Sequence, residues 1–290
     1  WRVVCLPKTR TLALHPNVNP KKINNNAKNK NAKNKKGPNM QKLTSILAAA
    51  VLATVLSASA SADDHMPSAP VIAELYECSL NDGVSPDQVV ALGQGDFAQF
   101  VADNDLTMNT YLWEAVAINA PYNEPDLRWV NYFPTWQDQS KADRLWRQKA
   151  DKLQAEIFEL ITCKKPFFFP MMSVAQPPQA QEKPLITQVC TLNEGKSLGD
   201  AMAYRKGVAA TANKLADTSV GSAVFLPGLG LSTGWDYVAM VTGTPDDMAT
   251  MMDTVRTGAL TAALGKAGLE SPSTCVTDLH RSHLMVQMQN

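Results

Sequence analysis

The sequence predicts an α+β fold built from two tandem βαββαβ repeats, on three observations. Residues 77–85 read E-C-S-L-N-D-G-V-S and residues 189–197 read V-C-T-L-N-E-G-K-S, nearly one phrase written twice. The cysteines keep one interval, 85 positions from Cys78 to Cys163 and 85 from Cys190 to Cys275. Strand patterns and helix-start signals recur in the same order between these landmarks. A shift of 112 aligns Cys78 with Cys190, Leu80 with Leu192, Asn81 with Asn193, Gly83 with Gly195, Ser85 with Ser197 and Cys163 with Cys275. Thr135 aligns better with Thr244, a shift of 109, so the second copy has a shorter central loop and regains the residues later.

The first repeat is expected over 71–172 and the second over 185–288, with the Pro- and Gln-rich stretch S-V-A-Q-P-P-Q-A-Q-E-K-P (173–184) as a linker. Each repeat opens with a strand, V-I-A-E-L-Y-E-C-S-L (71–80) or L-I-T-Q-V-C-T-L (185–192). A helix follows. Ser85-Pro86-Asp87-Gln88 supplies an N-cap, a first-turn proline and a capping-box partner, and Ser197 with Asp200 is the weaker version. Val89, Leu92, Phe97, Phe100 and Val101 keep helical spacing. Next come strands near 108–116 or 221–226, then 129–133 (W-V-N-Y-F) or 235–241 (W-D-Y-V-A-M-V). The second helices start near Thr135 and at Thr244-Pro245-Asp246-Asp247. The first of them carries Leu145, Trp146, Leu153, Ile157, Leu160 and Ile161 at three- and four-residue steps. A strand holding the second cysteine ends each repeat.

This order is the split-βαβ, or ferredoxin-like, plan. Its sheet order, 4-1-3-2, makes the first and last strands antiparallel neighbours. Cys78, near the end of strand one, then meets Cys163, near the start of strand four. The plan and one disulfide per repeat (Cys78–Cys163, Cys190–Cys275) support each other.

Residues 71–288 resemble a tandem version of the dimeric α+β barrel superfamily, in which two ferredoxin-like units pack sheet to sheet. The resemblance rests on element order and duplication and includes no catalytic motif. It implies an intramolecular α+β barrel. Relatives of that architecture include cofactor-free monooxygenases, haem-dependent peroxidase-like enzymes and stress proteins.

The N-terminal part reads differently. Trp1 is encoded by no start codon, and residues 17–39 are dominated by Asn, Lys and Ala, a composition that builds no core. Residues 1–39 are therefore expected to be translated upstream sequence or a disordered arm. From Met40, a short Lys-bearing start, an apolar run from Leu43 to Leu56 and the ending Ala60-Ser61-Ala62 form a secretory signal peptide over 40–62, cut after Ala62. The expected location is periplasmic or extracellular, with no membrane span after cleavage. Residues 1–62 hold 11 of the 27 Lys and Arg and none of the 27 Asp and Glu, which leaves 16 basic against 27 acidic residues, a net charge of −11. A surface of that sign repels phosphate backbones, so nucleic acid is not an expected partner.

Several patterns carry candidate chemistry. Gly230-Leu231-Ser232-Thr233-Gly234 matches G-x-S-x-G, with Asp278 and His280 or His283 downstream in hydrolase order. A nucleophile elbow needs a helix after it, and the strand W-D-Y-V-A-M-V follows instead, so a glycine-rich hairpin loop is expected. His280 and His283 are candidate metal or haem ligands, but on a strand an i,i+3 pair points to opposite faces. Met248, Met251 and Met252 have the spacing of helical core fillers before that of copper ligands. A mature chain starting Asp63-Asp64-His65 would offer an amine, two amides and an imidazole, a square-planar set for Cu(II). No other cofactor is expected. Finally, Asn109, Tyr111 and Trp113 alternate on one strand and Trp129, Asn131 and Phe133 on the next. Relatives among the cofactor-free monooxygenases use Asn and Trp to orient a flat aromatic substrate. Asn109, Tyr111, Trp113, Trp129 and Asn131 are thus the expected lining of a pocket for a small apolar or aromatic molecule. The expected function is an exported small-molecule binding or sensing module. The alternatives are a cofactor-free monooxygenase-like enzyme and a structural or interaction protein without a ligand.

Overall fold

The structure is a computed structural model describing residues 70–118, 125–178, 180–230 and 234–288. Its strands are β1 (Val71–Leu80), β2 (Asn109–Ala117), β3 (Leu127–Phe133), β4 (Ile161–Cys163), β5 (Phe167–Ala175), β6 (Glu182–Leu192), β7 (Gly221–Phe225), β8 (Tyr237–Thr242) and β9 (Ser273–Val286). They run β3-β2-β9-β6-β8-β7-β5-β1, and β1 pairs again with β3, so eight antiparallel strands close into a barrel. The short β4 continues the β5 side of β1.

Within the first half, β1 lies between β3 and the β4–β5 pair, and β2 lies outside β3. Within the second, β6 lies between β8 and β9, and β7 lies outside β8. Two seams, β2 with β9 and β5 with β7, join the halves. The stretch expected as a linker is strand at both ends, because β5 reaches Ala175 and β6 begins at Glu182. Pairing Ser173 with Ala223, and Lys183 with Ser282, gives those backbones ladder partners.

Helices cover the outer face where the capping signals placed them. Ser85 forms a capping box with Gln88 at the start of α1 (Pro86–Leu92). A π-turn, Gly93–Phe97, leads into α2 (Ala98–Asp103). Thr135 accepts from the Asp138 amide at the start of α3 (Trp136–Lys149), which α4 (Asp151–Leu160) follows. Ser197 and Asp200 form the capping box of α5 (Leu198–Ala216), and Thr244 caps α6 (Pro245–Arg256), which precedes α7 (Ala259–Lys266). In the first half, Val89, Phe97, Val101, Leu153 and Ile157 pack on Leu112, Trp129 and Phe133 of the sheet. The barrel interior is a separate cluster of Ala73, Trp113, Val130, Tyr132, Phe169, Leu185 and Phe225. In the second half Met248 and Met251 are core, beside Ile186 and Val220, while Met252 is exposed.

The register places Cys78 opposite Cys163 and Cys190 opposite Cys275, and both pairs are disulfide-bonded. Among the described residues no helix is long and apolar enough to cross a membrane. The segment 1–39, the expected signal peptide over 40–62 and the expected Asp63-Asp64-His65 copper set lie outside the described residues.

Candidate functional site

The register between β2 and β3 divides the expected pocket in two. Asn131 lies opposite Thr110, and Trp129 opposite Leu112. Residues directly opposite share a face and odd and even positions alternate, so Trp129 and Asn131 point away from the side taken by Tyr111 and Trp113. Trp129 and Asn131 line a cavity of about 350 Å³ between the outer face of the sheet and the first-half helices. Asn109, Tyr111 and Trp113 line a second cavity of about 300 Å³ at one end of the barrel interior.

The floor of the outer cavity is a polar row across three strands. Glu74 on β1 lies opposite Asn131 on β3, which lies opposite Thr110 on β2. All three are buried. Asn131 Nδ2 donates to Glu74 Oε2 (2.9 Å), while Asn131 Oδ1 accepts from Thr110 Oγ1 (3.0 Å) and Trp129 Nε1 (3.1 Å). Gln139 Nε2 on α3 donates to Glu74 Oε1 (3.4 Å). Burial pushes the Glu74 carboxyl above its usual range, and its hydrogen bonds from Asn131, Tyr76 and Gln139 offset only part of that rise. Burial, reinforced by the Glu74 charge, likewise raises the Tyr76 phenol, which stays neutral at physiological pH.

Aromatic rings wall the cavity. Phe97 meets Trp129 edge to face at 4.9 Å, and Trp146 meets Phe100 edge to face at 5.5 Å. The π-turn places Phe97 there. Gly93 packs directly against the tip of the Met285 side chain of β9, 1.7 Å from Met285 Cε to where a Cβ would stand, and Gln94 Nε2 ties the turn to the Leu284 carbonyl (2.9 Å). The second half repeats the backbone pairing without this chemistry. Ile186 lies opposite Val241, and Gln188 opposite Ala239. The buried Arg205 of α5 lies over that row, bonded to Gln188 and within 3.3 Å of Cys190 Sγ.

The barrel interior changes character along its axis. Lys183 and Ser282 stand at the cavity end, Leu185 and His280 in the next layer, and Thr187 and Asp278 beyond. His280 is 1% exposed, 3.0 Å from Thr187 Oγ1 through Nε2, and 3.3 Å from Arg128 Nη1. His283 points to the other face, 3.2 Å from Glu114 Oε2. Neither histidine lines either of these two cavities. No group of three or more His, Cys, Asp or Glu among those residues is arranged to hold a metal ion. Of the hydrolase pattern, Asp278, His280 and His283 all lie on β9. Gly230 and Gly234 lie in the loop from β7 to β8, the residues between them are outside the described set, and His280 is enclosed in the barrel.

Glu74, Thr110, Gln139 and Lys183 were not among the expected site residues. Glu74 had a readable signal: Ile72, Glu74, Tyr76 and Cys78 share one parity, so a charge sits in a row otherwise without one. Lys183 was hidden by reading its segment as a linker.

No protein-family model matches the sequence, and no curated protein matches it. Similar solved structures are chlorite dismutases. A variant enzyme from Candidatus Nitrospira defluvii superposes with a TM-score of 0.43 at 10% identity, over 75% of this chain and 93% of that one. The enzyme from the same organism in complex with imidazole gives 0.41 at 10% identity, over 73% and 91%. Agreement at this level leaves the activity of this chain to its own residues.

The enclosed imidazole sets an acid limit on the fold. Burial, then the nearby Arg128 charge, pushes His280 down to about 3, whereas the unfolded chain protonates near 6.5. The unfolded state therefore takes up the proton first. This contribution to stability is whole above about pH 6.5 and is lost as the pH falls toward 3. At about 1.4 kcal/mol per pH unit the loss approaches about 5 kcal/mol. His280→Gln keeps a partner for Thr187 without titrating, so its guanidinium-unfolding free energy falls less than the native protein's as buffers are taken from pH 7 to pH 4; parallel curves would contradict the assignment.

Proposed function

We propose that this protein is an exported small-molecule binding module whose ligand is a flat, largely apolar molecule with one polar group. The ligand occupies the cavity over Trp129, and its polar group meets the Glu74–Asn131 row. The observation that carries this reading is the combination of an aromatic-walled cavity of about 350 Å³ with a convergent, hydrogen-bonded polar cluster on its floor. Asn131 has committed its oxygen twice and one amide hydrogen to Glu74, which leaves the second amide hydrogen for an acceptor on the ligand. Two disulfides support export, since such bonds persist in oxidising compartments. The strand order in each half supports reading 71–172 and 185–288 as tandem ferredoxin-like units, of which only the first keeps the polar floor.

Trp129 and Trp146 line the cavity, so binding reports in tryptophan emission. With 2-naphthol as the probe, the native protein gives saturable quenching. Asn131→Leu weakens it about tenfold, near 1.4 kcal/mol, and Ala142→Phe, which fills the cavity, abolishes it. Absence of saturation in the native protein, or indifference to both variants, contradicts the reading.

One observation favours a second reading, a cofactor-free monooxygenase-like enzyme. Glu74 is a buried carboxylate with a raised pKa in the cavity, placed to take a phenolic proton from a bound aromatic. On that reading 1,4-dihydroxynaphthalene drives dioxygen uptake above the uncatalysed rate, and Glu74→Gln abolishes the increment with the fold intact. Equal uptake by both proteins leaves the site a binding site.

A further inference from the structure

We propose that the cavity at the barrel mouth is a second ligand site, one that takes a small organic carboxylate, with its carboxylate on Lys183 and its apolar body on Tyr111, Trp113 and Met240. Lys183 stands on β6 opposite Ser282 of β9, in the layer next to Leu185 and His280, and lines this cavity. It is 4% exposed. Its ammonium lies 5.4 Å from the Tyr111 ring centroid, and among the described residues it has no ion-pair partner. The neighbouring Glu182 turns to the other face, toward Arg281 and His283.

A buried cation normally carries its counter-charge with it, because desolvation is otherwise uncompensated. Burial lowers the pKa of Lys183, so a carboxylate beside its ammonium would restore the charge that desolvation disfavours. The surrounding side chains define the rest of the ligand. One cation suits one negative charge, and Tyr111, Trp113, Tyr132, Met171, Leu185 and Met240 present rings and apolar chains to whatever bears it. Burial also holds the Tyr111 phenol in its neutral, donor-bearing form. A volume of about 300 Å³ is at the lower end for ligand pockets and suits a single-ring acid.

The β2–β3 wall separates this site from the one over Trp129, so the two proposals fail independently. Benzoate is the probe and benzamide its neutral counterpart, titrated by calorimetry into the disulfide-bonded chain. The native protein binds benzoate at least tenfold more tightly than benzamide. Lys183→Met removes that preference by weakening benzoate at least tenfold. Ser173→Trp at the exposed rim, which faces Ala223 across β5 and β7 and leaves Lys183 in place, weakens both compounds. Circular dichroism checks each fold, and if Lys183→Met fails to fold, the rim variant decides. The proposal is overturned if benzoate gives no heat at millimolar concentration, if benzamide matches it, or if benzoate keeps its native affinity in a folded Lys183→Met or Ser173→Trp.

Discussion

The two seams that join the halves, β2 against β9 and β5 against β7, create the functional geometry by turning one sheet surface into an inside and an outside. Once the ring is closed, the period of two along every strand becomes a sorting rule. Glu74, Tyr76, Thr110, Trp129 and Asn131 go to the helix side, and Tyr111, Trp113, Lys183, His280 and Ser282 go to the lumen. A slip of one residue in a strand's pairing would move that strand's members from one set to the other. The disulfides pin the register of two pairings, one between β1 and β4 and one between β6 and β9.

The same frame is used differently by the two halves. In the first, the row Glu74–Asn131–Thr110 is polar, and the aromatic side chains above it leave space. In the second, the matching pair is Ile186 and Val241, and Arg205 packs over the neighbouring strand positions beside Cys190, Cys275 and Tyr237. The backbone pairing is the same in both halves, and in the second Arg205 fills the space over the strands. Arg205 Nε is buried without a hydrogen-bond partner, so that filling leaves one donor unsatisfied.

Much of the frame could be read from particular residues. The 85-residue cysteine intervals, the Ser85, Thr135, Ser197 and Thr244 caps and the alternating strands reported the elements and the pairings of the two bridges. Capping is local chemistry, and equal intervals are arithmetic, so neither needs the tertiary structure. The site was only half legible. That Tyr111 and Trp113 share a face, and Trp129 and Asn131 another, follows from alternation; that the two faces are opposite depends on the inter-strand register, which no single strand encodes. The π-turn was illegible for a similar reason, since Gly93 packs against Met285, a residue 192 positions away. Lys183 was hidden because Pro and Gln nearby resemble a linker, whereas pairing with β9 makes 182–184 the start of β6.

Ring closure is therefore the claim to test first, and the β5–β7 seam offers a direct measurement. Ser173 and Ala223 are register partners on small side chains. In a chain carrying Ser173→Cys and Ala223→Cys, mild oxidation should join the two new cysteines, seen in peptide mass mapping as one cross-linked species beside the two native bridges. If both new thiols remain free under those conditions, the halves do not meet along this edge, the barrel has no lumen, and neither the inner cavity nor the division of residues between two faces stands.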